Sequence, residues 1–184
     1  WHATVSETWQ PRPQLPGDQR ADVAIVGAGY TGLWTAYYLA GARPDLRIVV
    51  LEAETAGFGA SGRNGGFALR GGAARYDVAR ETYGVEAAQT LWRRTEAELD
   101  RMEELGGDAF RRVGSLRLAA DDEEHEQIRS EFEALASDGF AVEWRDALPP
   151  LLSTHFSAGM FYVPDGALQP ARFVRRLAAR AVDA

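Results

Sequence analysis

Asp22-Val23-Ala24-Ile25-Val26-Gly27-Ala28-Gly29-Tyr30-Thr31-Gly32 is the stretch on which the fold of this chain turns. Val23–Val26 is a short, continuous apolar run, as a strand buried on both faces requires. It leads without a break into three glycines spaced Gly-x-Gly-x-x-Gly. Leu33, Ala36, Tyr37 and Ala40 then fall on one side of a helix expected over 30–42, with Gly41 and Pro44 as its stop signals. A second apolar run, Ile48-Val49-Val50-Leu51, predicts another strand and ends in Glu52. Strand, helix and strand make one βαβ unit of about thirty residues.

Each glycine has a physical reason to be where it is. Gly27 permits the tight turn from strand to helix, Gly29 lets the backbone approach a ligand, and Gly32 lets the helix pack close on the strand. The helix N-terminus adds free N–H groups and partial positive charge, which suits a pyrophosphate. Glu52 stands twenty residues beyond Gly32, where a carboxylate can accept from a ribose hydroxyl and disfavours a 2′-phosphate. This pattern reads as a dinucleotide site; a glycine-rich turn followed by a solvated Glu is the bland alternative. NAD and FAD both fit the unit. Residues 57–72 bear on that choice, because seven of the sixteen are Gly and no stable helix can run through them. A second glycine-rich backbone segment suits a ligand that extends beyond the pyrophosphate, as FAD does; a mobile surface loop is the other reading.

Working outward, 184 residues with 46% hydrophobic and 26% charged residues and a net charge of −7 describe an ordinary globular chain. The absence of Cys excludes disulfides, a thiolate nucleophile, Cys-bound metal sites and flavin attachment through sulfur within these residues. All 20 basic residues are Arg, so no lysine Schiff base is available. The acidic balance argues against nucleic acid and anionic membranes as partners. Trp1–Gln10 lacks the pattern of a signal peptide, and the apolar runs fall short of the ~20 residues that span a bilayer, so a cytoplasmic location is the expectation. A start at Trp rather than Met suggests a trimmed N-terminus. Residues 1–20 read as an extended, Pro-rich arm that Trp1 and Trp9 pin to a surface.

Helices are expected over 73–83, 84–106, 121–138 and 170–182, and strands around 114–118, 141–145 and 159–163. His2, His125 and His155 have no ligand spacing, so no metal site is expected. Arg172, Arg175, Arg176 and Arg180 fit the wet face of an amphipathic helix better than a carboxylate clamp.

Asp22–Gly32, Glu52 and above all Gly59-Ala60-Ser61-Gly62-Arg63-Asn64-Gly65-Gly66 resemble the FAD-dependent amine and amino-acid oxidoreductases of the D-amino-acid oxidase/sarcosine oxidase type. The Ser-Gly-Arg-Asn-Gly-Gly stretch is most similar to the gamma-glutamylputrescine oxidoreductase branch, and Pro164–Pro170 fits the same pattern. The resemblance implies an α/β fold: a Rossmann-like FAD-binding βαβ domain with part of an antiparallel-sheet substrate domain. It implies FAD held by Gly27, Gly29, Tyr30, Thr31, Gly32, Glu52 and Ala53, with Ala60, Ser61, Arg63, Asn64, Gly65 and Gly66 along the pyrophosphate-to-flavin stretch. Expected boundaries are an arm at 1–20, the FAD-binding segment at 21–107, a partial substrate domain at 108–165 and a return helix at 166–184. The implied reaction is oxidation of the C–N bond of an amine or amino acid, by hydride transfer to flavin N5. No acid/base pair is visible, so catalytic residues are not assigned; Arg63 and Asn64 are candidates to stabilise negative charge on the reduced ring. Family members are about twice this length, which implies a C-terminal half present as a continuation or a companion chain. An NAD-linked dehydrogenase and a non-catalytic nucleotide-binding fragment are the rival readings.

Overall fold

A computed structural model describes residues 1–5 and 10–183; Trp9 lies outside them. After a 3-10 turn at His2–Thr4 come β1 (Val23–Val26), α1 (Tyr30–Ala42) and β2 (Ile48–Leu51). A second 3-10 turn at Ala60–Gly62 precedes β3 (Phe67–Ala68), α2 (Tyr76–Tyr83) and α3 (Val85–Gly106). The chain continues through β4 (Phe110–Arg112), β5 (Ser115–Ala119), α4 (Asp122–Ser137), β6 (Val142–Arg145) and α5 (Pro150–Ser153). It closes with β7 (Ala158–Tyr162), β8 (Gly166–Leu168) and α6 (Pro170–Asp183). These elements form two units: Trp1–Gly66 with Glu104–Phe110 and Leu168–Ala184, and Phe67–Glu103 with Arg111–Ala167.

In the first unit β1 and β2 pair in parallel, Val23 opposite Ile48 and Val26 opposite Leu51. The expected bounds of β1, α1 and β2 hold to the residue, because an apolar run between glycines and a helix between glycine and proline leave little choice. Leu33 and Ala36 of α1 are buried, and Leu33 shares a core with Val174, Leu177 and Ala178 of α6. Phe173, Val174, Leu177 and Ala178 recur at three- and four-residue steps, which is what turns α6 into a two-sided helix. Its arginines depart from the expected wet face. Arg172 and Arg176 reach Asp108, Arg176 also donates to the Gly106 carbonyl, and Arg175 contacts His2; Arg180 is exposed as expected. Nor does the Trp1 indole pin the arm: it is 48% exposed, and Gln169 holds the turn by donating to the Trp1 carbonyl and the Thr4 hydroxyl.

The second unit contains an antiparallel sheet of order β5-β7-β6, with Leu116 opposite Phe161 and Trp144 opposite Met160. One core joins Tyr76 and Ala79 of α2, Ala88 and Trp92 of α3, Ile128 and Leu135 of α4, Phe140 and Met160. Asp121 caps α4 by accepting from the Glu124 N–H at 2.8 Å, while the Glu124 carboxylate accepts from Ala120 N–H. This accounts for the acidic start of that helix. A smaller sheet has the order β3-β8-β4, in which Phe67 pairs with Ala167 and Ala68 with Gly166.

The first segment is expected to run to residue 107. Residues 67–103 group with 111–167, since the Tyr76 ring is buried against those of Phe140 and Trp92, with centroids 5.2 and 4.9 Å away. The expected return helix begins at Pro170, because Gly166–Leu168 is strand.

Candidate functional site

The site is assembled within the first unit from the ends of β1 and β2, the start of α1 and residues 52–66. Gly27 has φ +99°, a conformation that L side chains rarely adopt, and its N–H donates to the Leu51 carbonyl at 2.7 Å. The crossing from β1 into α1 thus begins with a turn that needs glycine. A Cβ on Gly32 would lie 2.1 Å from the Gly27 carbonyl oxygen and 3.2 Å from Ile25, so its absence permits the close helix–strand approach. Gly29 caps α1 without a side chain, and a Cβ there would meet the Ser61 hydroxyl at 3.0 Å. That hydroxyl accepts from the Tyr30 N–H at 2.9 Å, which ties the second glycine segment to the first turn of α1. Thr31, beside it, is exposed.

Glu52 follows β2 and is exposed, as is Ala53. One of its carboxylate oxygens accepts from Ala28 N–H at 2.8 Å, the other from Glu54 N–H at 3.1 Å. A carboxylate offers about four lone-pair positions, so acceptor capacity is left over for a hydroxyl. Beside it opens a cavity of about 1040 Å³ bordered by Val26, Ala28, Leu51, Glu52 and, from the arm, Gln10 and Pro16. Val26, at the end of β1, is 85% exposed. Open sheets of this type take ligands at the carboxyl ends of their strands.

The segment after Glu52 is held from several sides. Gly57 donates to the Ala28 carbonyl at 2.9 Å, has φ +75°, and would drive a Cβ to 2.1 Å from Val174. Asn64 shapes the loop: its amide donates to the Ser61 carbonyl at 3.0 Å while its oxygen accepts from Gly66 N–H at 2.9 Å. Gly66 has φ +78° and a hypothetical Cβ 2.4 Å from the Leu168 oxygen. Arg63 is exposed, with its guanidinium 4.5 Å from the centre of the Phe58 ring; Ala60 and Gly65 are exposed too. Tyr30 packs edge-on against Phe173 at 5.9 Å, and burial raises its phenol above the ordinary value, with Asn64 acting in the other direction. Tyr30, Ser61, Asn64 and Gly66 are thereby linked in one run of hydrogen bonds, and Glu52 is tied to the turn before α1 through Ala28.

This arrangement fits FAD on its own geometry. A helix start whose cap has no side chain, an acid with spare lone pairs at the second strand, and open space where Gly27 and Gly59 would carry Cβ atoms suit a pyrophosphate with a ribose beside it. The family model for FAD dependent oxidoreductases matches residues 22–184. The chain belongs to that family. Membership of a family that takes FAD replaces the NAD-linked reading.

The chain is 36% identical over 128 residues to gamma-glutamylputrescine oxidoreductase of Escherichia coli (strain K12), covering 67% of this chain and 30% of that protein. It is 32% identical over 178 residues to a probable oxidoreductase OrdL of Rhizobium meliloti (strain 1021), covering 92% of this chain and 41% of the relative. Glycine oxidase from Geobacillus kaustophilus superposes with a TM-score of 0.67 at 25% identity, over 90% of this chain and 45% of that one. The chain thus spans less than half the length of each of these relatives.

Two features of the chain are not foreshadowed by its sequence. His2 lies against the second glycine segment, a contact that no spacing announces. Arg70 and Asp165 are the other: Asp165, 2% exposed, accepts from Arg70 N–H at 3.0 Å and from the Ser115 hydroxyl at 2.6 Å. The Arg70 side chain is buried between Glu96 and the Ala141 carbonyl. The Pro164-Asp165-Gly166 run was the available signal for it. Among the described residues no His, Asp and Glu cluster is placed to hold a metal, and no helix is long and apolar enough to cross a membrane.

Proposed function

We propose that the whole protein oxidises the C–N bond of an amine or amino acid, and that this chain supplies the dinucleotide-holding part of the enzyme. The observation that carries the reading is the second glycine segment, tied by Ser61 to the first turn of α1 and closed on itself by Asn64. A ligand that ended at the pyrophosphate would leave that segment without a use. FAD held there would supply the acceptor for a hydride from the carbon next to the amine, and the imine product would be hydrolysed by water.

The chain's own residues bind and orient. In this reading Glu52 accepts from the adenosine ribose, and Gly27, Gly29 and Gly32 bring the backbone of α1 to the pyrophosphate, with Tyr30 and Thr31 in the first turn. Ala60, Ser61, Gly65 and Gly66 run along the flavin side, and Arg63 places positive charge where the reduced ring gathers electrons. The second unit, with its three-stranded antiparallel sheet, serves as part of a substrate domain. An amine or amino acid as substrate accords with the relatives, one named for gamma-glutamylputrescine and one for glycine.

The test is anaerobic mixing of the full-length protein with a panel of polyamines, acylated polyamines and amino acids while flavin absorbance is followed. Bleaching by a member of the panel, with stoichiometric carbonyl product, supports the reading. Bleaching by hydroxy acids or sugars alone would reject it.

A further inference from the structure

We propose that the N-terminal turn is a latch on the cofactor segment, with His2 as a positioning residue that holds Gly57–Gly62 in the shape that retains FAD. His2 Nδ1 lies 3.1 Å from an Arg175 guanidinium nitrogen of α6. A guanidinium only donates, so Nδ1 accepts and the neutral ring carries its proton on Nε2. Nε2 is buried and faces the segment: a Cβ on Gly62 would sit 2.9 Å from it and 2.2 Å from the Gly57 carbonyl oxygen. The ring therefore packs on bare backbone at Gly62 and fills space that any side chain there would need. Gln169 anchors the turn from the start of α6, by donating to the Trp1 carbonyl at 2.9 Å and to the Thr4 hydroxyl at 3.0 Å. Ser61, next to Gly62, is the residue that accepts from Tyr30 N–H, so a shift of Gly62 reaches the start of α1 directly.

The charges around the ring make the latch sensitive to acid. Burial, then Arg175 and Arg63, hold the His2 pKa below its ordinary value, against a smaller opposing effect of a hydrogen bond to the Gly57 backbone. A group with a depressed pKa in the folded state contributes stability that is present above its unfolded value of 6.5 and is lost as pH falls through the folded one. Protonation removes the acceptor for Arg175 and sets a third cation beside Arg175 and Arg63.

The inference rests on the assignment of the glycine segment to FAD, and not on which C–N bond is oxidised. The experiment titrates FAD into the apo form of full-length wild type, His2→Ala, His2→Gln and Gly66→Val, following flavin fluorescence, with apo melting measured in parallel. His2→Ala should weaken FAD roughly tenfold, the scale of one lost hydrogen-bonded contact. His2→Gln, which restores an acceptor and a donor, should recover most of that. Wild-type affinity should fall as pH drops below 6.5, and His2→Gln should flatten the profile. Wild-type affinity in His2→Ala, a His2→Gln as weak as His2→Ala, or an identical pH profile in wild type and His2→Gln overturns the latch. Loss of FAD in Gly66→Val alone overturns it while leaving the segment assignment standing. Retention of FAD in both His2→Ala and Gly66→Val overturns latch and assignment together.

Discussion

Glu52 already accepts two backbone hydrogen bonds, from Ala28 and Glu54, before any ribose is considered. Its replacement by Ala therefore has two consequences. Loss of a charge-assisted bond to the ribose should weaken FAD by about 1.5–3 kcal/mol, and release of Ala28 N–H should loosen the turn into α1. Glu52→Gln keeps an acceptor and the shape of the side chain, so its affinity should fall between wild type and Glu52→Ala. Titration of the apo full-length protein checks both, and an unchanged dissociation constant in Glu52→Ala removes the assignment. Gly65 and Gly66, adjacent in sequence, should respond differently. Gly66→Val meets the Leu168 carbonyl and a φ of +78°, so it should lower the melting point of the apo protein as well as clear the flavin. Gly65 is exposed and its φ is not positive, so Gly65→Val should spare apo melting and act on FAD affinity alone. A fall in apo melting for Gly65→Val equal to that for Gly66→Val would show that both are structural.

Among the elements, β3 shows how a two-residue strand is kept in place. Phe67–Ala68 pairs with Gly166–Leu168, and just beyond it Asp165 takes the Arg70 N–H and the Ser115 hydroxyl. Asp165 is nearly inaccessible, so Asp165→Ala leaves donors buried without an acceptor. That should destabilise the second unit by about 1–3 kcal/mol for each orphaned donor. Asp165→Asn retains an acceptor and should recover part of the loss, as denaturant titration of the two variants will show. Equal stability of wild type and Asp165→Ala would mean that this junction is held by packing alone. The arginines of α6 illustrate the same dependence on context. Their spacing is that of a solvated face, yet Asp108 engages Arg172 and Arg176, and His2 engages Arg175. Sequence period located the helix and its apolar stripe; neighbours from far along the chain decided which polar residues were wet.

For the molecule as a whole, the parallel sheet is the informative feature. Among the described residues it has two strands, β1 and β2, and Val26 is 85% exposed at the end of β1. In doubly wound sheets of this kind the first strand is central and paired on both sides. Residues 1–184 produced alone should therefore self-associate through open strand edges and retain less FAD than the full-length protein. Mass in solution, melting behaviour and flavin absorbance of the two preparations decide it; a monomeric fragment that melts cooperatively with full flavin content would refute the expectation. The sequence by itself determined β1, α1 and β2, because a four-residue apolar run, a glycine turn and a helical stripe are local constraints that few alternatives satisfy. It also singled out Glu52 and the second glycine segment, since acid placement and glycine density are readable without neighbours. Only the tertiary structure decided that residues 67–103 join 111–167, that Asp165 meets a backbone 95 residues away, and that His2 meets Arg175 across 173. The reason is physical. Such contacts are selected by burial and by the need to satisfy buried polar groups, and those conditions exist only once distant parts of the chain have come together.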